Sequence, residues 1–199
     1  MRVFVGGATG ATGQDFVRIA GDRDLDLVVQ VRPQSEDKYR LQQPSGPEPT
    51  LLDLGDRSAL VDAMKGCTAV ASMIGTMRKR FASGDTYAAS DIGSTQQLVD
   101  AAKEAGVDRF VLMGAQGTSW IPGPYYDAKR EAEAILFRSG LTWTVLRPGA
   151  LVGNGRGHRL LSAVGVSTEA CARAMVRAAT EPGFENRILG NGDIKRLGG

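Results

Sequence analysis

Two groups of residues in this 199-residue chain have the types and spacing to do chemistry. The first is GGATGATG at 6–13, where Gly7, Gly10 and Gly13 recur every third residue behind a short apolar run. Between a strand and a helix, the first such glycine allows a tight turn, the second lets backbone approach a pyrophosphate, and the third lets helix and sheet pack closely. The helix N-terminus beyond it offers N–H groups and a partial positive charge to an anion. Thr9, Ala11 and Thr12 belong to the same loop, and the two threonines add hydroxyl donors. The second group is Tyr125 and Lys129, which at i and i+4 share one helix face. An ammonium beside a phenol favours the phenolate, so the pair is expected to lower the tyrosine pKa from about 10 and make it a proton donor or acceptor near neutral pH. Tyr126, at i+3 from Lys129, competes for the same role.

These residues need elements to hold them. Short β-branched or apolar runs alternate with longer amphipathic segments, a pattern that predicts βαβ units and a parallel sheet covered on both faces. Strands are expected at 2–5, 27–31, 50–52, 69–74, 109–113 and 142–146, with a last one at 186–189. Helices are expected at 12–20, 58–64, 86–105, 125–139 and 168–180. The fourth of these, rich in Ala, Glu, Lys and Arg, stops at Gly140, a usual residue just past a helix end. SGPEPT at 45–50 and GNGRGH at 153–158 read as connections. The glycine loop then falls at the first βα turn, and Tyr125 opens the helix after the fifth strand, both at the carboxyl side of the sheet where ligands of such folds bind. The expected architecture is α/β: a Rossmann-like, doubly wound parallel sheet in three layers, forming a single domain over 1–199.

The second strand bears on which dinucleotide such a site takes. Sites that prefer NAD carry an Asp or Glu about 20 residues beyond the glycines to accept bonds from the ribose hydroxyls. Here LDLVVQVRP ends in Arg32. A guanidinium cannot accept those bonds, but it can grip a 2′-phosphate and stack on adenine. Glu36 opposes this if its loop folds inward. Asp53, after the third strand, either meets the adenine amino group with Leu54 on the ring or caps a helix. Lys129 is also suited to hold a nicotinamide ribose.

Composition narrows the remaining classes. Hydrophobic residues make up 42% and charged residues 23%, ordinary globular values. The net charge of +2 and the lack of a concentrated basic face give no support to a nucleic-acid partner. The one basic cluster, Arg78, Lys79 and Arg80, is either a solvated loop tip or a wall of an anion pocket. Cys67 and Cys171 have neither CxxC nor Cys/His spacing, so no metal site or disulfide framework is expected and both read as buried thiols. No 18-residue apolar stretch occurs, and the apolar run before Gly6 is only three residues long, so the expectation is a cytoplasmic protein with no membrane partner.

As an ordered set, GGATGATG at 6–13, VRP at 31–33, LDL at 52–54, DIGSTQQLVDAAKEAGVDRFVLMGA at 91–115, YYDAKREAE at 125–133 and SGLTWTVLRPGAL at 139–151 cover nearly the whole chain. In these the chain resembles the atypical short-chain dehydrogenases/reductases of the NAD(P)H-binding, NmrA-like kind, which include small flavin or biliverdin reductases. The resemblance implies NADP as cofactor, with Gly7, Gly10, Gly13 and Arg32 on its phosphates and Asp53 with Leu54 at the adenine. It puts Ile74 and Gly75 near the ribose, Tyr125 and Lys129 in the catalytic motif, and Pro148 with Gly149 beside the nicotinamide. It also makes 166–182 the closing helix, before a tail with room for only a small substrate lid.

Two positions depart from that pattern. Related enzymes carry Ser or Thr after the fifth strand to bond a substrate carbonyl; here the stretch is Met113-Gly114-Ala115-Gln116, leaving Gln116, Thr118 or Ser119 as substitutes. The Asn common near the head of the fourth helix is Asp91. A quinone or flavin that stacks on nicotinamide needs no such hydroxyl. The expected function is therefore NADPH-dependent hydride transfer to a small planar acceptor such as a quinone, flavin or related carbonyl compound, with Trp120, Met77 and Leu151 as acceptor walls. The alternative is a non-catalytic NADP-binding redox sensor or regulatory protein. The roughly 50 residues after Arg147 are too few for the substrate domain of a nucleotide-sugar epimerase.

Overall fold

Seven short apolar runs become the strands of one parallel sheet in the computed structural model, which describes residues 1–75, 86–153 and 165–199. They are β1 (Arg2–Gly6), β2 (Asp26–Val31), β3 (Pro49–Leu51), β4 (Ala69–Ser72), β5 (Arg109–Met113), β6 (Thr142–Leu146) and β9 (Arg187–Leu189). Their order is β3-β2-β1-β4-β5-β6-β9, with every pairing parallel. A two-stranded parallel piece, β7 (Leu151–Val152) with β8 (Val166–Ser167), stands apart from it.

The helices are α1 (Ala11–Gly21), α2 (Glu36–Gln42), α3 (Arg57–Met64), α4 (Ser94–Ala105), α5 (Pro124–Phe137), α6 (Thr168–Thr180) and α7 (Asn191–Gly198). α1, α6 and α7 pack together on one face of the sheet, and α3, α4 and α5 on the other. Side chains of a strand alternate between its faces. Val3 and Val5 accordingly join Phe16, Met175 and Ile194 in one core, while Phe4 between them joins Leu60, Leu98 and Leu136 in the other. Both faces are thus covered, the three-layer doubly wound arrangement that near-continuous apolar strands require. The winding direction changes between β1 and β4, and that switch point is where such sheets bind ligands.

Apart from the β7–β8 pair and a one-residue shift of β3, the structure departs from the sequence reading in four places. β4 stops at Ser72, not 74, because its neighbour β1 ends at Gly6 and turns; only the Met73 N–H still reaches back, to the Gly6 carbonyl at 2.9 Å. A 3-10 turn, Pro33–Ser35, and then α2 follow Arg32, held by Tyr39, whose hydroxyl donates to the Pro47 carbonyl at 2.8 Å. The tail contains α7, which packs on α6 through the fully buried Ile194. The single helix expected over 86–105 is divided by a wide π-type turn, Ala88–Gly93, ahead of α4. Cys67 and Cys171 are both buried. Among the described residues, no helix is long and apolar enough to cross a membrane. Arg78, Lys79, Arg80 and Met77, and all but the first residue of GNGRGH, lie outside the described residues.

Candidate dinucleotide site

The glycine loop is shaped by contacts that a side chain would break. Gly7 has φ +88°, and a methyl built on it would stand 2.7 Å from the Met73 carbonyl carbon. Gly13 lies so close to Gly7 that a methyl there would overlap the Gly7 carbonyl oxygen and approach Ala8 Cα to 2.8 Å. Gly10 is the N-cap of α1, so no side chain caps that helix, and no acidic residue occupies its first turn. An uncapped N-terminus beside a bare backbone turn fits an anionic phosphate. Because the obstacle at position 13 is backbone, Gly13→Ala is expected to destabilise the chain by about 1–3 kcal/mol, read from urea unfolding.

A groove of about 420 Å³ opens beside this loop at the switch point. Of the expected cofactor residues it is lined by Gly7, Thr9, Gly10, Arg32, Asp53, Leu54, Ile74 and Gly75. Ala11, Thr12 and Gly13 form the first turn of α1 behind it, and the Thr12 hydroxyl is buried without a hydrogen-bond partner. Glu36 does not fold inward as an acceptor; Arg40 Nε donates to it at 2.9 Å while also holding Glu48. Asp53 is not the cap of α3. That role belongs to Asp56, which accepts from the Ala59 N–H at 3.0 Å, whereas Asp53 closes a turn on the Gly55 N–H and lines the groove. Gln30, also in the groove wall, was not expected there. Its amide donates to the Leu52 carbonyl at 2.8 Å and braces β2 against the chain after β3.

At its inner end, Gly75 connects the groove to the Tyr–Lys pair: a methyl on Gly75 would meet Lys129 Nζ at 3.1 Å and Asp91 Oδ1 at 3.0 Å. Lys129 Nζ lies 2.8 Å from Asp91 Oδ1, and both side chains are more than nine-tenths buried. The π-type turn carries Asp91 into this position, and the Thr95 hydroxyl donates to the Asp91 carbonyl at 2.7 Å. Lys129 Nζ is also 5.9 Å from the centre of the Tyr125 ring, whose edge contacts are with Tyr87 and Tyr126. The Tyr126 ring edge lies beside Gly117, and the ring over which Lys129 stands is that of Tyr125.

One electrostatic expectation is overturned. Burial pushes the Tyr125 phenol above its ordinary value near 10; Lys129 pulls it down, but Asp91, Tyr126 and Tyr87 add to the rise. The sequence shows the ammonium next to the phenol, but not the carboxylate that pairs with it.

The segment after β5 has a second buried charge pair. Glu133 of α5 accepts two bonds from Arg147, at 3.1 and 2.6 Å, and the same guanidinium donates to Ser119 at 2.6 Å. A methyl on Gly114 would stand 2.5 Å from Glu133 Oε1. The Glu133 carboxylate thus stands in the space beside Gly114, at the point where the sequence lacks a serine. The Thr118 hydroxyl donates to the Ala115 carbonyl at 2.6 Å and Ser119 is taken by Arg147, so of the three substitutes only the exposed Gln116 keeps its side chain at the surface without such a bond. Pro148 and Gly149 sit at the end of β6, outside the groove wall, where Gly149 abuts Gln116 and donates to Asn191 of α7 at 2.9 Å. Trp120 is 72% exposed on the loop after β5, whereas Leu151 is partly buried against the core.

The sheet order, glycine turn and groove define a Rossmann-type dinucleotide-binding protein. Residues 7–182 match the NAD(P)H-binding family model, and the chain belongs to that family. It is 30% identical to an uncharacterised sugar epimerase of Bacillus subtilis, over 95% of this chain and 92% of that one. Among solved structures, a candidate NAD-dependent epimerase/dehydratase of Bacillus halodurans superposes with a TM-score of 0.81 at 21% identity, covering 99% of this chain and 98% of the other. An NADPH-dependent quinone oxidoreductase of Escherichia coli, bound to NADPH, superposes with a TM-score of 0.72 at 20% identity, covering 94% and 68%.

Proposed function

We propose that the protein is an NADPH-dependent reductase that passes hydride to a small planar acceptor. The observation that carries this reading is the continuity of the site: one groove runs from Arg32 past the glycine turn to Gly75, where Lys129 and Tyr125 begin. In this reading Gly7, Gly10 and the first turn of α1 hold the pyrophosphate, Arg32 the 2′-phosphate, and Asp53 with Leu54 the adenine. When bound, the nicotinamide supplies the hydride. Tyr125 donates the proton that the reduced acceptor takes up, Lys129 orients the ribose, and the exposed Trp120 offers an aromatic face to a planar acceptor.

The Bacillus subtilis relative raises sugar epimerisation instead. A site that epimerises through oxidation must first take a proton from a hydroxyl, and a phenol held above its ordinary value is a poor base at neutral pH. The quinone oxidoreductase neighbour accords with the reductive direction. A regulatory, non-catalytic reading draws on one observation, the absence of a hydroxyl donor at Gly114 and Ala115.

Titration with NADPH and NADH tests the cofactor assignment. A charge-assisted bond from Arg32 contributes about 1.5–3 kcal/mol, so NADPH should bind roughly ten- to a hundred-fold more tightly than NADH. Arg32→Ala should abolish the difference by weakening NADPH alone. Equal affinities in the unmodified protein would refute the NADP assignment.

A further inference from the structure

We propose that Asp91 preserves the direction of proton transfer at this site: by pairing with Lys129 it offsets the ammonium's pull, so that the proton kept on the buried Tyr125 stays there at neutral pH and the tyrosine works as a donor. The inference rests on the reading of Tyr125 as the proton-bearing group and goes beyond it, because it names the residue that offsets the ammonium's pull on that proton.

The geometry is specific. Asp91 Oδ1 is 2.8 Å from Lys129 Nζ, whereas that nitrogen is 5.9 Å from the centre of the Tyr125 ring, so the ammonium's nearest charge is the carboxylate. Both partners are withdrawn from water, with side chains 9% and 1% exposed, and little solvent screens the pair. The groups that bear on the phenol come from two elements: Lys129 and Tyr126 from α5, Asp91 and Tyr87 from the π-type turn and the residue before it. Lys129 and Asp91 together carry no net charge. An isolated lysine here would draw the proton off the phenol; a lysine matched by a buried carboxylate largely does not.

The carboxylate is also held in place. The Thr95 hydroxyl fixes the Asp91 backbone carbonyl, and the Ser94 hydroxyl does the same for Ser90 at 2.5 Å, so the turn that aims Asp91 inward is tied to the first turn of α4. Beside this ion pair, Lys129 donates a hydrogen bond to the Met113 carbonyl at 3.4 Å, which anchors it at the end of β5. Asp91 is thus a positioning residue acting through Lys129, not a group in contact with the acceptor.

The experiment is a spectroscopic titration of the Tyr125 phenolate in the full chain without substrate, with Tyr125→Phe in each background subtracted to isolate its signal. Asp91→Asn should move the midpoint down by about one to three pH units, since the ammonium's attraction is no longer offset. Adding Lys129→Gln to that variant should return the midpoint upward, a reversal that a merely structural role of Asp91 does not produce. Lys129→Gln alone should raise the midpoint above that of the unmodified protein, which tests the proposal even if Asp91→Asn does not fold. A midpoint unchanged or raised by Asp91→Asn overturns it, and so does one unaffected by Lys129→Gln. The titration involves no turnover. Failure of the reductase reading would remove the proton transfer but leave the control of the Tyr125 proton by Asp91 measurable, and an unmoved midpoint would refute the role of Asp91 without touching that reading.

Discussion

Glu133→Ala is expected to cost about 3 kcal/mol of folding stability, the lower end of the 3–5 kcal/mol typical when one partner of a buried ion pair is removed. The side chain of Glu133 is 3% exposed and accepts both bonds of a forked contact from Arg147, which is itself 19% exposed and also bonded to Ser119. The lower end applies because Arg147 retains Ser119 and some water when the carboxylate is gone. Against a typical total of about 5–15 kcal/mol, this is the largest single stability loss foreseen for the chain. The pair joins α5, the end of β6 and the loop after β5, so the loss should appear both as a lower urea midpoint and as loosening of the 114–123 loop in hydrogen exchange. The double variant Glu133→Leu with Arg147→Met separates two causes: if the unpaired buried charge dominates, stability should largely return. If the double variant is as unstable as the single one, lost packing around Gly114 is the cause.

The parts of this protein legible in its sequence are those set by local backbone and by burial on both faces. β1, β2, β5 and β6 are nearly uninterrupted apolar runs, which fully covered parallel strands must be, and they lie where their runs predict. The glycine turn is legible for the same local reason, since no other residue has the backbone for Gly7 or the clearance for Gly13. α2 and α7 are not. Each is a short, mostly polar helix with one buried side chain, Tyr39 or Ile194, too brief a signal to stand out from a polar connection. The π-type turn escapes for a different reason: it continues directly into α4, so it reads as part of one long helix, and its function of bringing Asp91 to Lys129 depends on a residue of another element. The site's chemistry divides in the same way. The i, i+4 spacing revealed Tyr125 and Lys129, but the sign of the electrostatic effect on the phenol depends on burial and on a carboxylate from another element, neither visible in a spacing. Gly114 shows this most directly. As sequence it is a missing hydroxyl, and in the fold it is the clearance for Glu133.

Tyr125→Phe is expected to lower kcat for a quinone or flavin acceptor by 10²- to 10⁴-fold, the usual contribution of a positioned general acid. NADPH affinity should change little, because the substitution removes one oxygen and keeps the ring that packs between Tyr87 and Tyr126. The pH dependence follows from the same group: the proton is present below the phenol's pKa and absent above it. Burial holds that value above the ordinary one for a phenol, so the rate of the unmodified enzyme should stay level through the neutral range and fall only in alkali. In the phenylalanine variant the residual rate should decline with pH across the whole range, as protons then come from solvent. Tyr126→Phe is the matched control; its ring lies against Gly117, and its removal should change the rate by no more than a few-fold. An acceptor that takes hydride and is protonated only after release would be insensitive to Tyr125→Phe, which would eliminate the tyrosine's role while leaving reduction intact. If the unmodified protein binds NADPH but turns over no quinone, flavin or aldehyde above the uncatalysed rate, the bare Met113-Gly114-Ala115 segment becomes decisive, and the site is one that senses the cofactor without using it.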